Sequence, residues 1–185
     1  MSFKLSDINP NWTLFLDRDG VINVEKDNDY IKNWNEFEFY TESIEALPIL
    51  ASLFKTIVIA TNQKGVGRGI MTENELTKIH ENMIRAIETV GGRIDHVFYC
   101  TDIDNESINR KPQPGMAMQA KTMFPTIEFN TSIMVGNRPS DMNFGRNAGL
   151  HTVFLATTHP ETSFPDPSID FRFNHLLEFA IAISK

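Results

Sequence analysis

Residues 14–21 read LFLDRDGV, a short apolar run that ends directly in two acidic residues and a glycine. Short apolar runs that are closed by Asp, Asn or Gly are typical of buried strands in a parallel sheet. Four further runs share this character. The five predicted strands are Thr13–Leu16, Thr56–Ala60, Val97–Cys100, Ser132–Val135 and Thr152–Leu155.

Stretches with helical spacing separate these strands. In Thr72–Val90 the apolar side chains recur on one face, and Thr72 with Glu75 has the spacing of a capping box. The other predicted helices are a stripe from Ile44 to Phe54, in which Pro48 predicts a kink or a late start, and Gly115–Phe124, Met142–Ala148 and His175–Ile183. The alternation predicts an α/β fold of three layers, with a mainly parallel sheet and helices on both faces.

The length, charge and cysteine count of the chain exclude several classes of protein. The chain has 185 residues, which predicts one domain over residues 1–185. Seventeen basic residues against 24 acidic ones give a net charge of −7, so we expect no nucleic-acid partner. One cysteine excludes an intramolecular disulfide, and no apolar run is long enough for a membrane helix. Residues 1–12 lack an apolar signal core, so we expect a cytoplasmic protein, and a monomer.

Polar residues follow several predicted strands, at the sheet edge where α/β proteins bind ligands. Asp17 and Asp19 suit a hard cation such as Mg²⁺, or a nucleophile paired with a proton carrier, although an ordinary Asp-Gly turn is the alternative. Thr61 and Asn62 offer a hydroxyl and an amide to a phosphate, ahead of a basic, glycine-rich stretch at residues 64–69 that also suits a solvated turn.

Two more clusters complete the set. Lys111 stands between an arginine and a proline just before a predicted helix, which suits a fixed cation aimed at an anion. Asn137 and Asp141 follow the fourth strand, where their oxygens fit a metal, while a helix cap formed by Asn137 or Ser140 explains the same residues equally well.

Taken in order, the aspartate pair, Thr-Asn, Lys-Pro and Gly-Asn-x-x-x-Asp resemble the haloacid dehalogenase (HAD) superfamily of phosphohydrolases. The resemblance covers about Leu14 to Leu155. Residues 17–23 (DRDGVIN), 61–69 (TNQKGVGRG) and 110–116 (RKPQPGM) resemble one branch more closely. That branch contains the D-glycero-D-manno-heptose 1,7-bisphosphate 7-phosphatases and the histidinol-phosphate phosphatases.

The resemblance implies a mechanism and a HAD-like fold. Asp17 would attack phosphorus and form an aspartyl-phosphate, and Asp19 would first protonate the leaving oxygen and then activate water. Thr61 and the Asn62 amide would hold the phosphoryl group, and Lys111 would neutralise its charge. Mg²⁺ would bridge Asp17 and a phosphate oxygen. The implied site is catalytic at Asp17, Asp19, Thr61 and Lys111, substrate-binding at Asn62, Gln63, Arg68, Arg110 and Arg138, and metal-binding at Asp17, Asp19, Asn137 and Asp141.

The chain departs from the family pattern in two places. The fourth motif usually begins Gly-Asp, whereas here it is Gly136-Asn137, so we expect weaker Mg²⁺ binding, with Asp141 as the alternative anionic ligand. Many members also carry a zinc loop of three cysteines and one histidine. Cys100 alone remains of it, so we expect no structural zinc.

Substrate and function stay open among several alternatives. About seventeen residues separate Asn23 from Thr41, too few for a separate cap domain, so we expect an open site for a small phosphorylated metabolite. Arg68, Arg110 and Arg138 would ring it and could hold a second phosphate, which favours a heptose bisphosphate. The alternatives are histidinol phosphate, and a regulatory pseudo-enzyme that binds phosphate without turnover, to which Asn137 points.

Overall fold

A sheet of six parallel strands organises the computed structural model, which describes residues 3–184. The strand order is β3-β2-β1-β4-β5-β6, and all five strand pairs are parallel. The strands are β1 Thr13–Leu16, β2 Thr56–Asn62, β3 His96–Cys100, β4 Ser132–Gly136, β5 His151–Leu155 and β6 Phe171–Phe173. Because β1 lies between β2 and β4, the residues that follow these three strands meet at one edge of the sheet.

Within residues 3–184, five α-helices lie between strands and a sixth follows β6. They are α1 Thr41–Leu53, α2 Lys64–Gly67, α3 Glu73–Thr89, α4 Gly115–Met123, α5 Pro139–Ala148 and α6 Leu176–Ile183. The predicted capping box is present at the start of α3, where the Thr72 hydroxyl accepts from the Glu75 backbone and the Glu75 carboxylate accepts from Thr72. This box fixes where α3 begins, and thereby which of its residues reach the sheet.

The core lies on both faces of the sheet because successive residues of a strand point to opposite sides. Leu14 and Leu16 pack with α1, α3 and α6 on one face. Phe15, between them, packs with α4 and α5 on the other. All three side chains are fully buried. The predicted α/β fold, a parallel sheet covered on both faces, is therefore confirmed.

The segment between β1 and α1 forms a loop rather than a cap. Residues 24–40 contain one short 3-10 turn, Trp34–Glu36. Trp34 stacks on Phe37, and Phe39 packs edge-to-face against both rings. A backbone bridge between Asn23 and Phe39 closes the loop back onto the end of β1. Among residues 3–184, no helix is both long enough and apolar enough to cross a membrane.

Three elements differ from the sequence-based expectation. β6 was not predicted, because it has three half-buried residues and too short a run to give a strand pattern. It forms a strand because it pairs with β5. α2 was not predicted either, since its sequence Lys-Gly-Val-Gly is a poor helix former. α1 begins at Thr41 and carries Pro48 in its interior, so of the two alternatives, a kink or a late start, the late start is wrong.

Candidate active site

The chain leaves β1 through a turn that only glycine fits. Gly20 has a φ of +81°, and a Cβ added there would lie 2.0 Å from Nδ2 of Asn137. The turn therefore lets the residues after β1 approach those after β4 closely. The backbone N–H of Asp17 donates to the carbonyl of Val135 at 3.0 Å, which continues the pairing of the two strands.

A buried lysine lies between two buried carboxylates at this edge. Nζ of Lys111 is 2.9 Å from Oδ1 of Asp17 and 2.7 Å from Oδ1 of Asp141. All three side chains are at least nine-tenths buried. Oδ1 of Asp17 also accepts from the backbone N–H of Arg18 at 2.8 Å. The hydrogen bond from Arg18 and the ion pair with Lys111 both fall on Oδ1 of Asp17, and neither involves Oδ2.

The charges in this cluster are not balanced. Burial and the negative charge of Asp141 raise the pKa of Asp17 to about 7, although the Lys111 ammonium opposes the rise. Burial lowers the pKa of Lys111, but the two carboxylates outweigh it and hold that pKa above its usual value. One cation thus serves two anions, and a further positive charge would stabilise the ionised form of Asp17.

Asp19 is held by a separate set of donors. Nη2 of Arg18 donates to both of its carboxylate oxygens at 2.8 and 2.9 Å, while Nδ2 of Asn23 and Nε2 of Gln63 each donate at 2.9 Å. Burial raises the pKa of Asp19, but the Arg18 charge and these hydrogen bonds outweigh burial and hold the pKa below its usual range. The two acids therefore have pKa values that the structure pushes apart.

Residues at the end of β2 contact the catalytic candidates. The Asn62 side chain accepts from the backbone N–H of Lys111 at 3.0 Å and donates to its carbonyl at 3.1 Å, which fixes the backbone that carries the lysine. Nε2 of Gln63 also donates to the Thr61 hydroxyl at 3.0 Å. Gln63 is 3% exposed, and it lines a small pocket together with Arg18 and Asp19.

Asp141 and Asn137 occupy different environments. Oδ2 of Asp141 accepts from the backbone N–H groups of Asn137 and Arg138 at the start of α5, and its Oδ1 faces Lys111. Nδ2 of Asn137 donates to Glu25 at 3.1 Å and to Thr158 at 2.6 Å. Oδ1 of Asn137 is buried and has no hydrogen-bond partner among the described residues.

This orphaned oxygen fits the Mg²⁺ ion that the family implies. Mg²⁺ prefers oxygen ligands, and the Asp17 carboxylate and Oδ1 of Asn137 follow the neighbouring strands β1 and β4 at one edge of the sheet. With the Asp19 backbone carbonyl that the resemblance implies, they would give the ion an all-oxygen donor set. Asp141 instead forms an ion pair with Lys111 and caps the N-terminus of α5.

A cleft of about 610 Å³ opens above the two aspartates. Asp17, Asp19, Thr61, Asn62 and Lys111 line one part of it. Further cations line the same cleft at Lys64, Arg68 and Arg110, and a group of anions does so at Glu25, Asp27 and Asp29.

The three cations are close neighbours. Burial lowers the pKa of Lys64, and the positive charges of Arg110 and Arg68 lower it further. Nη1 of Arg110 is buried and has no hydrogen-bond partner among residues 3–184. Arg138 also lines the cleft, but its guanidinium is ion-paired with Glu25 through Nη2 and Nε. An anion would therefore find Lys64, Arg68 and Arg110 more available than Arg138.

Four residues with roles in this site were not assigned by sequence reasoning. Arg18 and Asn23 lie inside the motif of residues 17–23, which is the signal that could have identified them. His80 contacts Arg18, and Glu25 contacts Asn137 and Arg138, across long stretches of chain. No local pattern marks either of these two. Cys100, the remaining position of the zinc loop, is buried in the core.

Several known proteins are similar to this chain in sequence or in fold. A D-glycero-alpha-D-manno-heptose-1,7-bisphosphate 7-phosphatase of Mycobacterium bovis is 34% identical over 173 residues, which are 93% of this chain and 91% of that protein. A D-glycero-beta-D-manno-heptose-1,7-bisphosphate 7-phosphatase of Pasteurella multocida is 36% identical over 157 residues, 80% of this chain and 84% of that protein. The crystal structure of D,D-heptose 1,7-bisphosphate phosphatase from B. bronchiseptica, complexed with magnesium and phosphate, matches with a TM-score of 0.84 and 26% identity over 93% of this chain and 97% of that chain.

The curated relatives and the family match identify this chain as a phosphatase, and its fold is the one that haloacid dehalogenase hydrolases have. A family model described as polynucleotide kinase 3 phosphatase matches residues 13–181. The chain belongs to that family, and its curated relatives include phosphatases of heptose 1,7-bisphosphates.

Proposed function

We propose that this protein is a Mg²⁺-dependent phosphomonoesterase that removes the 7-phosphate of a D-glycero-D-manno-heptose 1,7-bisphosphate. Asp17 is the nucleophile, and an aspartyl-phosphate is the intermediate. The observation that carries the proposal is the presence of two cationic groups in one cleft. Lys111 lies against Asp17, while Lys64, Arg68 and Arg110 form a second group.

The chemistry of the first step follows from the contacts of Asp17. Its Oδ1 is held by Lys111 and by the backbone N–H of Arg18, so Oδ2 attacks phosphorus. The Lys111 ammonium stabilises the charge that develops on the transferring phosphoryl group, and the Thr61 hydroxyl donates to the same group. Asp17, the Asp19 carbonyl and Asn137 would hold Mg²⁺, which would supply the positive charge that lets a carboxylate approach a phosphate dianion.

Asp19 moves the protons. The phosphate dianion that enters the cleft places a like charge beside Asp19 and raises its pKa, which suits proton donation to the leaving oxygen. After the sugar leaves, the ionised Asp19 takes a proton from the water that attacks the aspartyl-phosphate. Arg18, Asn23 and Gln63 hold the carboxylate in place through both steps.

The second cationic group supports a bisphosphate as the substrate. Arg110 has a buried nitrogen without a partner among the described residues, and arginine binds phosphate through paired hydrogen bonds. A phosphate at the far end of the substrate would be bound there while the other phosphate reacts at Asp17. We further propose that the protein acts as a cytoplasmic monomer on this small metabolite.

The test is phosphate release from a panel of substrates, with and without added Mg²⁺. The panel contains both anomers of heptose 1,7-bisphosphate, the heptose 7-phosphate, histidinol phosphate, a 3′-phosphorylated oligonucleotide and common sugar phosphates. We expect the highest kcat/KM for one heptose 1,7-bisphosphate anomer, and no release without Mg²⁺. A preference for histidinol phosphate or for the oligonucleotide would overturn the substrate assignment.

A matched variant tests the second cationic group directly. Arg110→Met removes the charge and keeps much of the side-chain length. We expect a raised KM for the bisphosphate and an unchanged KM for the 7-phosphate, because the monophosphate has no second group to bind. Equal changes for both substrates would show that Arg110 does not bind the distal phosphate.

A further inference from the structure

The Asn137 side chain is held in a fixed orientation by the loop that follows β1. Glu25, in that loop, accepts from Nδ2 of Asn137 at 3.1 Å, and Thr158 accepts from the same nitrogen at 2.6 Å. Rotating the amide by half a turn would bring Oδ1 against the Glu25 carboxylate, which has no proton to donate when it is ionised. Oδ1 is therefore directed away from Glu25, and it is the buried oxygen without a partner among residues 3–184.

The Glu25 side chain is itself fixed. Its Oε1 binds the guanidinium of Arg138 through Nη2 and Nε, and its Oε2 binds Asn137. The side chain is 17% exposed, so water screens its charge only in part. The backbone beside it is held as well, because the carbonyl of Val24 accepts from Asn23 at 2.9 Å.

We infer that Glu25 is a positioning residue of the metal site, an inference that rests on the proposed function. It orients Asn137 so that Oδ1 is available to Mg²⁺, and its charge compensates for the carboxylate that other family members have in place of Asn137. An amide whose N–H donates to a carboxylate carries more negative charge on its oxygen, which makes that oxygen a better ligand. Carboxylates that accept from a metal-binding histidine act in the same way.

Charge and orientation can be separated by substitution. Glu25→Gln removes the charge but keeps an oxygen that can accept from Asn137, whereas Glu25→Met removes both. Groups that orient a ligand typically change metal affinity by about 10–100-fold when they are removed. We expect about tenfold weaker Mg²⁺ binding in Glu25→Gln, and still weaker binding in Glu25→Met. Asp27→Asn is the matched control, since Asp27 lies in the same loop and lines the same cleft without contacting Asn137.

The strongest test combines Glu25→Gln with Asn137→Asp. In the Asn137→Asp protein the new carboxylate binds Mg²⁺ with its own charge, and Glu25 becomes a like charge beside it. We expect Glu25→Gln to weaken Mg²⁺ binding in the natural chain and to leave it unchanged or strengthen it in the Asn137→Asp chain. A residue that only stabilises the fold would weaken binding in both backgrounds.

The measurement is calorimetric titration of the full-length, substrate-free protein with MgCl₂, accompanied by the thermal midpoint of each variant without Mg²⁺. The inference would be overturned if the Glu25→Met protein bound Mg²⁺ as tightly as the natural chain. It would also be overturned if Glu25→Gln weakened Mg²⁺ binding equally in the natural and the Asn137→Asp chains. Either result would leave the proposed function in place. A natural chain that binds no Mg²⁺ and releases no phosphate from any substrate would instead overturn the proposed function, and the inference with it.

Discussion

Nη1 of Arg18 lies 3.2 Å from Nε2 of His80, which is 62 positions further along the chain, and both side chains are buried. Burial lowers the pKa of His80 to about 3, and the positive charge of Arg18 adds to this effect. His80 is therefore neutral, and its Nε2 accepts the hydrogen bond. Because Nη2 of the same guanidinium binds Asp19, helix α3 helps to set the position of that carboxylate.

Removing the acceptor at His80 should affect both stability and turnover. His80→Leu leaves a buried guanidinium nitrogen without its partner, and lost hydrogen bonds to charged groups cost about 1.5–3 kcal/mol. We expect a loss of stability in that range and a lower kcat, with KM little changed. His80→Gln keeps an acceptor, so it should recover most of both losses. Urea unfolding measures the loss of stability, and steady-state kinetics measure the loss of kcat. Equal losses in the His80→Leu and His80→Gln proteins would contradict the role of His80 as an acceptor for Arg18.

Acid should destabilise the protein partly through His80. Its pKa is about 3 in the folded chain and about 6.5 when unfolded, so between these values the unfolded state binds the extra proton. The contribution of His80 to stability is therefore complete above about pH 6.5 and is lost as the pH falls, at up to about 1.4 kcal/mol per pH unit. The free energy of unfolding should fall less steeply with acidification in His80→Gln than in the natural chain. If the free energy of unfolding fell with pH at the same slope in both proteins, the low pKa of His80 would be contradicted.

Asp17→Asn should nearly abolish phosphate release without unfolding the protein. The substitution removes the nucleophilic oxygen and also one of the two buried anions around Lys111, so we expect the thermal midpoint to be kept. Phosphate release is measured on protein purified from a host without competing phosphatases. Turnover above about one per cent of the natural rate would contradict the role of Asp17.

Lys111→Met should lower kcat by about 10²–10³-fold, the usual cost of one preorganised group that stabilises transition-state charge. The substitution leaves the carboxylates of Asp17 and Asp141 without their shared cation, so the pKa of Asp17 should rise above its present value of about 7. The pH dependence of single-turnover phosphate transfer measures this rise, which should appear as activity displaced to higher pH. An unchanged profile would show that Lys111 does not control the ionisation of Asp17.

Gly20→Ala should cost more stability than Gly91→Ala. Both glycines have a φ close to +81°, which costs an alanine about 1–2 kcal/mol. A Cβ at Gly91 meets nothing within 4 Å, whereas at Gly20 it would lie 2.0 Å from Nδ2 of Asn137 and displace that side chain. We also expect weaker Mg²⁺ binding in Gly20→Ala alone. Chemical denaturation compares the stability of the two variants, and magnesium titration compares their Mg²⁺ affinity. Equal losses of stability in both variants would contradict the predicted contact with Asn137.

Much of the site could be predicted from local sequence. Asp17, Thr61 and Asn137 each follow an apolar run, and the parallel order of β2, β1 and β4 brings them to one edge, as the pattern predicts. Lys111 follows no strand directly, and its place beside Asp17 was expected from resemblance alone. The sequence position of Gln63 shows that it is near the site, but only the structure shows that its side chain points toward Asp19 and Thr61.

The sequence by itself determined the layered α/β fold, the five longer strands and the residues that can do the chemistry. It could do so because each of these depends on neighbours a few positions away: an apolar run, a capping box, a glycine after an acid. Only the tertiary structure decided what each polar group binds. Glu25 meets Asn137 across 112 positions and His80 meets Arg18 across 62, and no local pattern encodes such pairs. The raised pKa of Asp17 also depends on tertiary structure, because it follows from burial and from Asp141 and Lys111, which come from distant parts of the chain.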